Sequence, residues 1–490
     1  MKNLKKFIGL VLVVVILFSL SACRSKDATT TNKDYKGVTL TYYKVFDGTD
    51  VIEPLLSEYR KTHPGLEIVY KKFDDFDEYQ KVVLNEMAEG KGPDIFSMQN
   101  TWFMSNYKKL TPMPSNIGTP DQFAKLYADV AYKDLVRPDD NGDEQVYGIP
   151  LTIDSLALYY NKSHFEDRIP GQGMPSSTWD GIKNDVSLLN KIDPQTGDFA
   201  VSGIAMGRAD NISRAVDIFY ALFLQMGGNF YDQYISKATF AAQKGRSEIV
   251  YPGLEALRLF LSFSNLKEKN YSWSENSAEH ASDAQEIAAF AQGKASMIIG
   301  YSFTYQDILN QIKLLESKGI KTIDKSEIKV TELPQLYDPA KSTAKRVTYA
   351  SYFAETVSKN CKRPDIAWDL LTVMGDKPQL QMYYDKTHKP TSRRDMIQDQ
   401  GKDPIYGVFA RQIGYAESFP IIDYYRYNEL FSSIINKANL ENVTNTDFID
   451  VQDLITKMVV QVDKNGLLPL ITEAQKKKKE EDAAKANAKK

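Results

Sequence analysis

The sequence predicts an α/β protein of two or more lobes that includes a doubly wound sheet, and three observations carry that expectation. At 490 residues the chain is about three times the usual size of a single domain. Short apolar, β-branched runs alternate with runs of helical period, at the interval of parallel βαβ units. Its 42% hydrophobic, 26% charged composition can bury a core, which excludes a collagen-like, low-complexity or wholly disordered chain.

The first strand is expected at Val38–Tyr43, followed by the loop Phe46–Asp50 and a helix over Val51–Tyr59. After the turn His63-Pro64-Gly65 come a second strand, Leu66–Tyr70, and a helix, Tyr79–Glu89, stopped by Gly90-Lys91-Gly92. Pro93–Met98 makes a third strand. Ligands of such sheets lie beyond the carboxyl ends of the strands, here the loops Phe46–Asp50 and Gln99–Phe103. Beyond the turn-rich Arg137–Asp143, a strand at Leu156–Asn161 reads as the entry to a second lobe. Helices follow at Ser213–Met226 and Leu254–Phe263, then a helix end, Gly293 cap and strand within Ala288–Gly300.

The two termini differ from this body. Lys2, Lys5 and Lys6 precede an uncharged apolar run from Phe7 to Leu20, shorter than the roughly twenty residues that span a bilayer, so it reads as a signal peptide. It closes on Leu20-Ser21-Ala22-Cys23, similar to the bacterial lipobox, in which Cys23 takes a diacylglyceryl group. Arg24–Lys36 is polar and reads as a tether. The stretch Gln475–Lys490 carries seven Lys against three acids. The formal charge of −3 becomes −10 once the three leader charges and the net four of the tail are set aside. An acidic body without an arginine-rich stripe argues against nucleic acid and for a neutral or cationic ligand.

Catalytic and metal motifs are missing from the sequence. His63, His164, His280 and His388 are scattered, no HExxH or Gly-x-Ser-x-Gly occurs, and Gly293-Lys294 is followed by Ala295, unlike a phosphate-binding loop. Asp139-Asp140-Asn141-Gly142 resembles a calcium loop only until Gly142 is set at position six, which puts Arg137 where a carboxylate is needed; it reads as a turn. Cys361, the remaining cysteine, has no partner and reads as a small, partly buried residue. Among the acids, Asp74, Asp75 and Asp77 read as a solvated face, and Asp47 and Asp50 as hydrogen-bond acceptors in a ligand loop.

Aromatic residues are 11% of the chain, and most must be core. Some stand beside polar groups at strand ends: Phe46 by Asp47, Trp102 by Gln99-Asn100-Thr101, Tyr301 and Phe303 after Gly300, and Tyr424, Tyr425 and Tyr427 around Arg426. A sugar offers an apolar C–H face and a hydroxyl rim, which such plates with polar edges suit.

The lipobox, Gly92-Pro93-Asp94-Ile95-Phe96 with Asn100-Thr101-Trp102, Tyr147-Gly148-Ile149-Pro150 with Leu158–Lys162, Pro175–Trp179 and Phe290–Met297 together resemble the bacterial extracellular solute-binding proteins of family 1. These are lipid-anchored or periplasmic receptors of ABC importers for sugars, similar in fold to maltose-binding protein. The resemblance runs from about Val38 to Leu470 and implies a two-lobed periplasmic-binding-protein fold of type II, hinged between lobes. Its implied division is 1–22 leader, 23–37 tether, 38–149 with 350–403 as lobe 1, 150–349 with 404–470 as lobe 2, and 471–490 tail. Crossings are implied near Ile149–Ile153 and Val347–Tyr352, with a return near Asp403–Gly407. The ligand residues it implies are Phe46, Asp47 and Asp50; Gln99, Asn100 and Trp102; Asp154 and Ser155; Phe303, where the maltose-binding relative has a stacking Trp; Tyr427, at a second such aromatic; and Arg393 and Asn211.

The expectation is therefore a monomeric, lipid-anchored receptor on the extracellular face of a bacterial cell membrane. It captures a carbohydrate and hands it to ABC permease subunits, with no cofactor, metal or catalysis. The alternatives are a receptor for a peptide or polyol, a lipid-anchored glycosidase using paired carboxylates, or a structural surface protein without a cleft.

Overall fold

The computed structural model describes residues 35–139, 141–232, 235–244, 250–277 and 285–464. The leader, Cys23, the tether up to residue 34, His280 and the lysine-rich tail lie outside the described residues. Strand β1 (Thr39–Val45), helix α1 (Thr49–Thr62), β2 (Glu67–Phe73), α2 (Phe76–Ala88) and β3 (Ile95–Gln99) form two successive βαβ units, with β1 parallel to both β2 and β3. Strand β1 runs two residues past the apolar stretch. Its buried face carries Leu40, Tyr42 and then Lys44, every second residue, so a lysine completes the core-facing row.

The chain then passes through β4 (Ile149–Pro150), β5 (Asp154–Ser155) and β6 (Ala157–Asn161). The second lobe holds α3 (Ala215–Gln225), β7 (Met297–Gly300), α4 (Thr304–Ser317) and β8 (Ile328–Thr331). Strands β9 (Thr348–Ser351) and β10 (Phe353–Val357) lead back to α5 (Pro364–Met374) and α6 (Lys377–Thr387). Further along come α7 (Gly407–Gln412), β11 (Ala416–Glu417), α8 (Tyr424–Leu440) and α9 (Asn445–Lys464). The first sheet has the order β2-β1-β3-β10-β4 and the second, antiparallel, the order β7-β6-β8. Pro150 sits in an edge strand, where its missing N–H removes no ladder bond.

Between the sheets the outgoing and returning chains lie side by side. β10 pairs with β4, while β9 pairs with β5 and β11. A third run joins them: the Ile153 amide donates to Pro390 O at 3.1 Å, and Thr152 bridges Thr391. That run is Pro390–Arg393, not the Asp403–Gly407 stretch expected from the sequence; the latter turns into α7, with Asp403 accepting from the amides of Ile405 and Tyr406. The second lobe is packed around aromatic rings, with Phe230 stacked on Phe419 at 4.1 Å and Phe219 on Phe431 at 5.3 Å. The turn at Asp139–Asp143 closes a hairpin between Val136–Pro138 and Glu144–Val146, and Asp139 accepts from the amides of Asn141 and Asp143. Among the described residues no cluster of three or more His, Cys, Asp or Glu side chains could hold a metal ion, and no helix is long and apolar enough to cross a membrane.

Candidate functional site

A cleft of about 750 Å³ opens between the lobes, within the ~300–1,000 Å³ usual for small-molecule sites. One wall is the carboxyl end of β1 and β3, as the doubly wound topology requires; the other is the loop from β7 into α4.

At the end of β1 the backbone turns sharply. Phe46 has φ 69°, and the Asp47 amide donates to Val45 O at 2.9 Å, a γ-turn of the rare positive-φ kind. A side chain costs roughly 1–2 kcal/mol in this left-handed region. Phe46 remains 52% exposed, edge-on to Phe353 at 6.2 Å. Asp47 faces inward and accepts from Lys389 Nζ at 2.6 Å and from the Tyr383 hydroxyl at 2.6 Å, with Lys44 Nζ 3.4 Å away. Lys44 also bonds Glu355 and donates to Ser97 Oγ at 3.2 Å, and Ser97 donates to Glu355 at 2.7 Å. Burial by itself would raise the Asp47 carboxyl, but Lys44, Lys389 and Tyr383 outweigh it and hold it at about 2. Burial likewise pulls Lys44 down, and Glu355 and Asp47 reverse the shift, so it stays charged.

Across the cleft, Asp154 accepts from the Ser302 amide at 3.0 Å, from Ser302 Oγ at 2.6 Å and from the Ser155 amide at 2.8 Å. Burial dominates these bonds and pushes its carboxyl up to about 6. Phe303 is 41% exposed and stacks with Tyr301 at 5.6 Å, and the Arg214 guanidinium lies over both rings. On the lobe 1 side Gln99 donates to Ser351 Oγ at 3.3 Å while its buried Oε1 has no partner. The lobes touch at one end of the cleft, where the Tyr425 hydroxyl donates to Asp77 beside the cleft residues Tyr424 and Phe76. At the other end Tyr406 stacks on His388 at 5.4 Å and meets Tyr305 edge-on at 5.8 Å.

Of the residues expected from the sequence, Phe46, Asp47, Gln99, Asp154 and Phe303 line this cleft. The others do not. Asn100, Thr101, Trp102 and Phe103 form one helical turn with every side chain buried. Asn100 accepts from the Tyr352 amide at 3.2 Å, and Trp102 is 5% exposed behind Phe76. Asp50 points outward, paired with Lys386 at 3.1 Å. Ser155 is buried and accepts from Gln412 at 3.1 Å; Asn211 accepts from the Trp273 indole at 2.8 Å. Arg393 forks onto Asp395 at 2.9 and 3.1 Å and donates to Gly375 O, away from the cleft. Tyr427 lies on the core stripe of α8, its hydroxyl 2.7 Å from that of Tyr231. Sequence reasoning missed Lys44, Arg214, Asp307, Tyr383 and Lys389, all cleft residues. Lys44 had a signal, its place at i+4 from Leu40 on a strand; Tyr383 and Lys389 come from more than 300 residues away and had none.

Comparison with known proteins agrees with this geometry. Residues 55–405 match the family model described as bacterial extracellular solute-binding protein. The chain belongs to that family. This solute-binding protein is 20% identical over 370 residues to a putative binding protein of Brucella abortus (strain 2308), covering 75% of this chain and 77% of the relative. Among solved structures, it is similar to the sugar-binding protein MalE of Xanthomonas citri, with a TM-score of 0.64 and 14% identity over 90% of this chain and 98% of that one. The cyclic alpha-maltosyl-1,6-maltose binding protein of Arthrobacter globiformis gives a TM-score of 0.64 at 17% identity, over 87% and 99%. An ABC transporter solute-binding protein of Thermotoga lettingae TMO, bound with alpha-D-tagatose, gives 0.62 at 20%, over 86% and 100%. At these identities the likeness establishes the fold, two α/β lobes about a cleft. The family and these neighbours are binding proteins.

Two outcomes follow from the strand-end loop of this solute-binding protein. Phe46→Gly relieves the left-handed strain, which offsets the backbone entropy that glycine loses on folding. Its unfolding free energy by denaturant titration stays within about 1 kcal/mol of the native chain, while Phe46→Ala, which keeps a Cβ at φ 69°, is the less stable of the two. An alanine variant as stable as the glycine one would remove the strain argument. The second outcome concerns Asp47, whose folded pKa of about 2 lies below its ordinary 3.8. A depressed carboxyl stabilises the fold above its unfolded pKa, and that stability is lost as the pH falls through about 2. Asp47→Asn therefore costs about 2–3 kcal/mol at pH 7, at ~1.4 kcal/mol per pKa unit. The gap to the native chain narrows below about pH 4, and denaturant titrations at pH 7 and pH 3 measure it.

Proposed function

We propose that this protein is a lipid-anchored receptor on the outer face of the bacterial cell membrane, binding a sugar or oligosaccharide in its cleft and delivering it to the permease of an ABC importer. The observation that carries the reading is the pairing of exposed aromatic faces from opposite lobes, Phe46 and Phe303, in one cleft with polar side chains not bonded to protein groups, Arg214 and Asp307. Rings on both walls can cover the two faces of a sugar, and polar groups at their edges can meet its hydroxyls. Support comes also from the similar proteins: the T. lettingae structure holds tagatose, that of X. citri is described as a sugar-binding protein, and that of A. globiformis as a cyclic alpha-maltosyl-1,6-maltose binding protein. Of the cleft carboxylates, Asp47 and Asp154 are already bonded to protein groups, which leaves Asp307 without a free carboxylate to pair with and favours capture over hydrolysis.

The polypeptide passes between the lobes through a narrow seam of paired crossing strands, so closure on a solute is a hinge motion about that seam. A ligand that contacts both walls stabilises the closed arrangement by its differential affinity, and a few kcal/mol suffices to shift the population. Anchoring through Cys23 supplies two acyl chains from one diacylglyceryl group, enough for stable attachment where one is marginal.

Small-angle scattering with a panel of mono- and oligosaccharides is expected to show a reduced radius of gyration with the bound sugar and no change with the rest. A panel in which none produces compaction or a calorimetric signal counts against the sugar reading. For the anchor, Cys23→Ser expressed in a lipoprotein-processing bacterium is expected to lose its acyl mass and leave the membrane fraction. A variant that stays membrane-bound after a salt wash would refute lipidation at Cys23.

A further inference from the structure

Most charged side chains on the cleft wall are already engaged. On lobe 1, Lys44 and Lys389 are balanced by Asp47 and Glu355 in one bonded network. Asp154 is occupied by Ser302 and Ser155. Two remain on lobe 2. Among the described residues, the Arg214 guanidinium and the Asp307 carboxylate line the cleft without a hydrogen bond or ion pair to any protein group.

Both stand near one aromatic plate, Phe303. Arg214 lies 5.2 Å from the centre of the Phe303 ring and 5.8 Å from that of Tyr301, contacts that orient its five N–H donors without using them. Asp307 stands one helical turn after Phe303, its amide bonded to Phe303 O at 3.2 Å. Asp217, which accepts from the Tyr301 hydroxyl at 3.1 Å, acts on Arg214 by charge, and with Glu286 it outweighs the burial that pulls the guanidinium down. A partly desolvated polar group whose hydrogen bonds are unmade is costly, so both groups favour a ligand that completes them.

Their signs decide which ligand. A carboxylate on the solute gains Arg214 but meets Asp307, and an ammonium meets the reverse conflict. A hydroxyl satisfies both, because it donates to Asp307 and accepts from Arg214, and adjacent hydroxyls of one ring can span the pair with charge-assisted bonds. Deepening the sugar reading above and resting on it, we propose that Arg214 and Asp307 are the specificity-determining pair of a lobe 2 subsite. That subsite takes an uncharged pyranose ring seated on Phe303 and rejects uronic acids.

The test is isothermal calorimetry on the full chain with maltotriose, cellotriose, mannotriose and trigalacturonic acid as probes, using the native protein, Arg214→Met and Asp307→Asn, each checked by thermal melting. The expected result is binding of a neutral trisaccharide, a loss of tenfold or more in each variant, and at least tenfold weaker binding of trigalacturonic acid to the native chain. Asp307→Asn, which lies on the exposed side of α4 and leaves the fold intact, narrows that neutral-to-acidic gap severalfold, an effect that a purely structural role would not produce. If a neutral trisaccharide binds and neither variant changes it, or if trigalacturonic acid binds best, the specificity pair is overturned while the sugar reading stands. If no probe binds, the sugar reading fails and this inference with it. Should Arg214→Met melt at a lower temperature, Asp307→Asn alone decides the outcome.

Discussion

The structure depends on a constraint of chain connectivity: the polypeptide must leave the first sheet for the second lobe and come back through the same narrow seam. Its answer is to run β4–β5 antiparallel to β9–β10 and to lay Pro390–Arg393 against them, so that backbone polar groups in the seam pair with one another. Buried side chains hold what the backbone does not. Asn100 takes the Tyr352 amide, Asp134 takes the Tyr352 hydroxyl at 2.8 Å and Ser418, and Gln412 bonds Ser155 and Leu156 O. Leaving one such group unpaired costs ~1–3 kcal/mol. The seam thus has one well-defined arrangement, while the lobes on either side of it touch at the ends of the cleft.

The ion network at the cleft floor follows from strand geometry. Period-two alternation puts Lys44 on the buried face of β1, and a buried ammonium persists only with an anionic partner. Ser97 on β3 and Glu355 on β10 stand in the same row across adjacent strands, and the register pairs Ser97 with Glu355. Asp47 then adds a second carboxylate that draws in Lys389 and Tyr383 from the far side of the chain. The strained turn at Phe46 is held between these bonds and the β2 strand, whose Phe73 carbonyl takes the Phe46 amide at 2.9 Å. Strain at a ligand-facing residue is tolerated where its surroundings over-determine it.

The strand-helix alternation was legible because period and punctuation are local. Both βαβ units and the helix-cap-strand at Gly293 can be read from neighbouring residues, whereas the crossing strands came from the family resemblance. The site was legible at the level of loops and less so at the level of side chains. Gln99 and Asn100 are neighbours, yet β3 ends on Gln99 with its side chain at the cleft, and the helical turn that begins at Asn100 faces inward. On α8 a displacement of three residues separates Tyr424 at the cleft from Tyr427 in the core, and composition around Arg426 does not tell them apart. Phasing a short helix against a wall needs the packing partners, which are distant in sequence.

Net charge shows the same limit and how it is overcome. An acidic body argues against nucleic acid, because that interaction sums over a wide surface. A cleft is decided over a few ångströms, where each buried charge answers to its nearest partner and distant surface acids are screened. At that scale the acidity of the body disappears: the lobe 1 network balances itself, and lobe 2 leaves one cation and one anion without a hydrogen bond at the cleft wall. An open pair of opposite sign favours neither anions nor cations and rewards a group that both donates and accepts. Under the proposed reading, that pair favours a neutral, hydroxyl-bearing ligand over a cationic one.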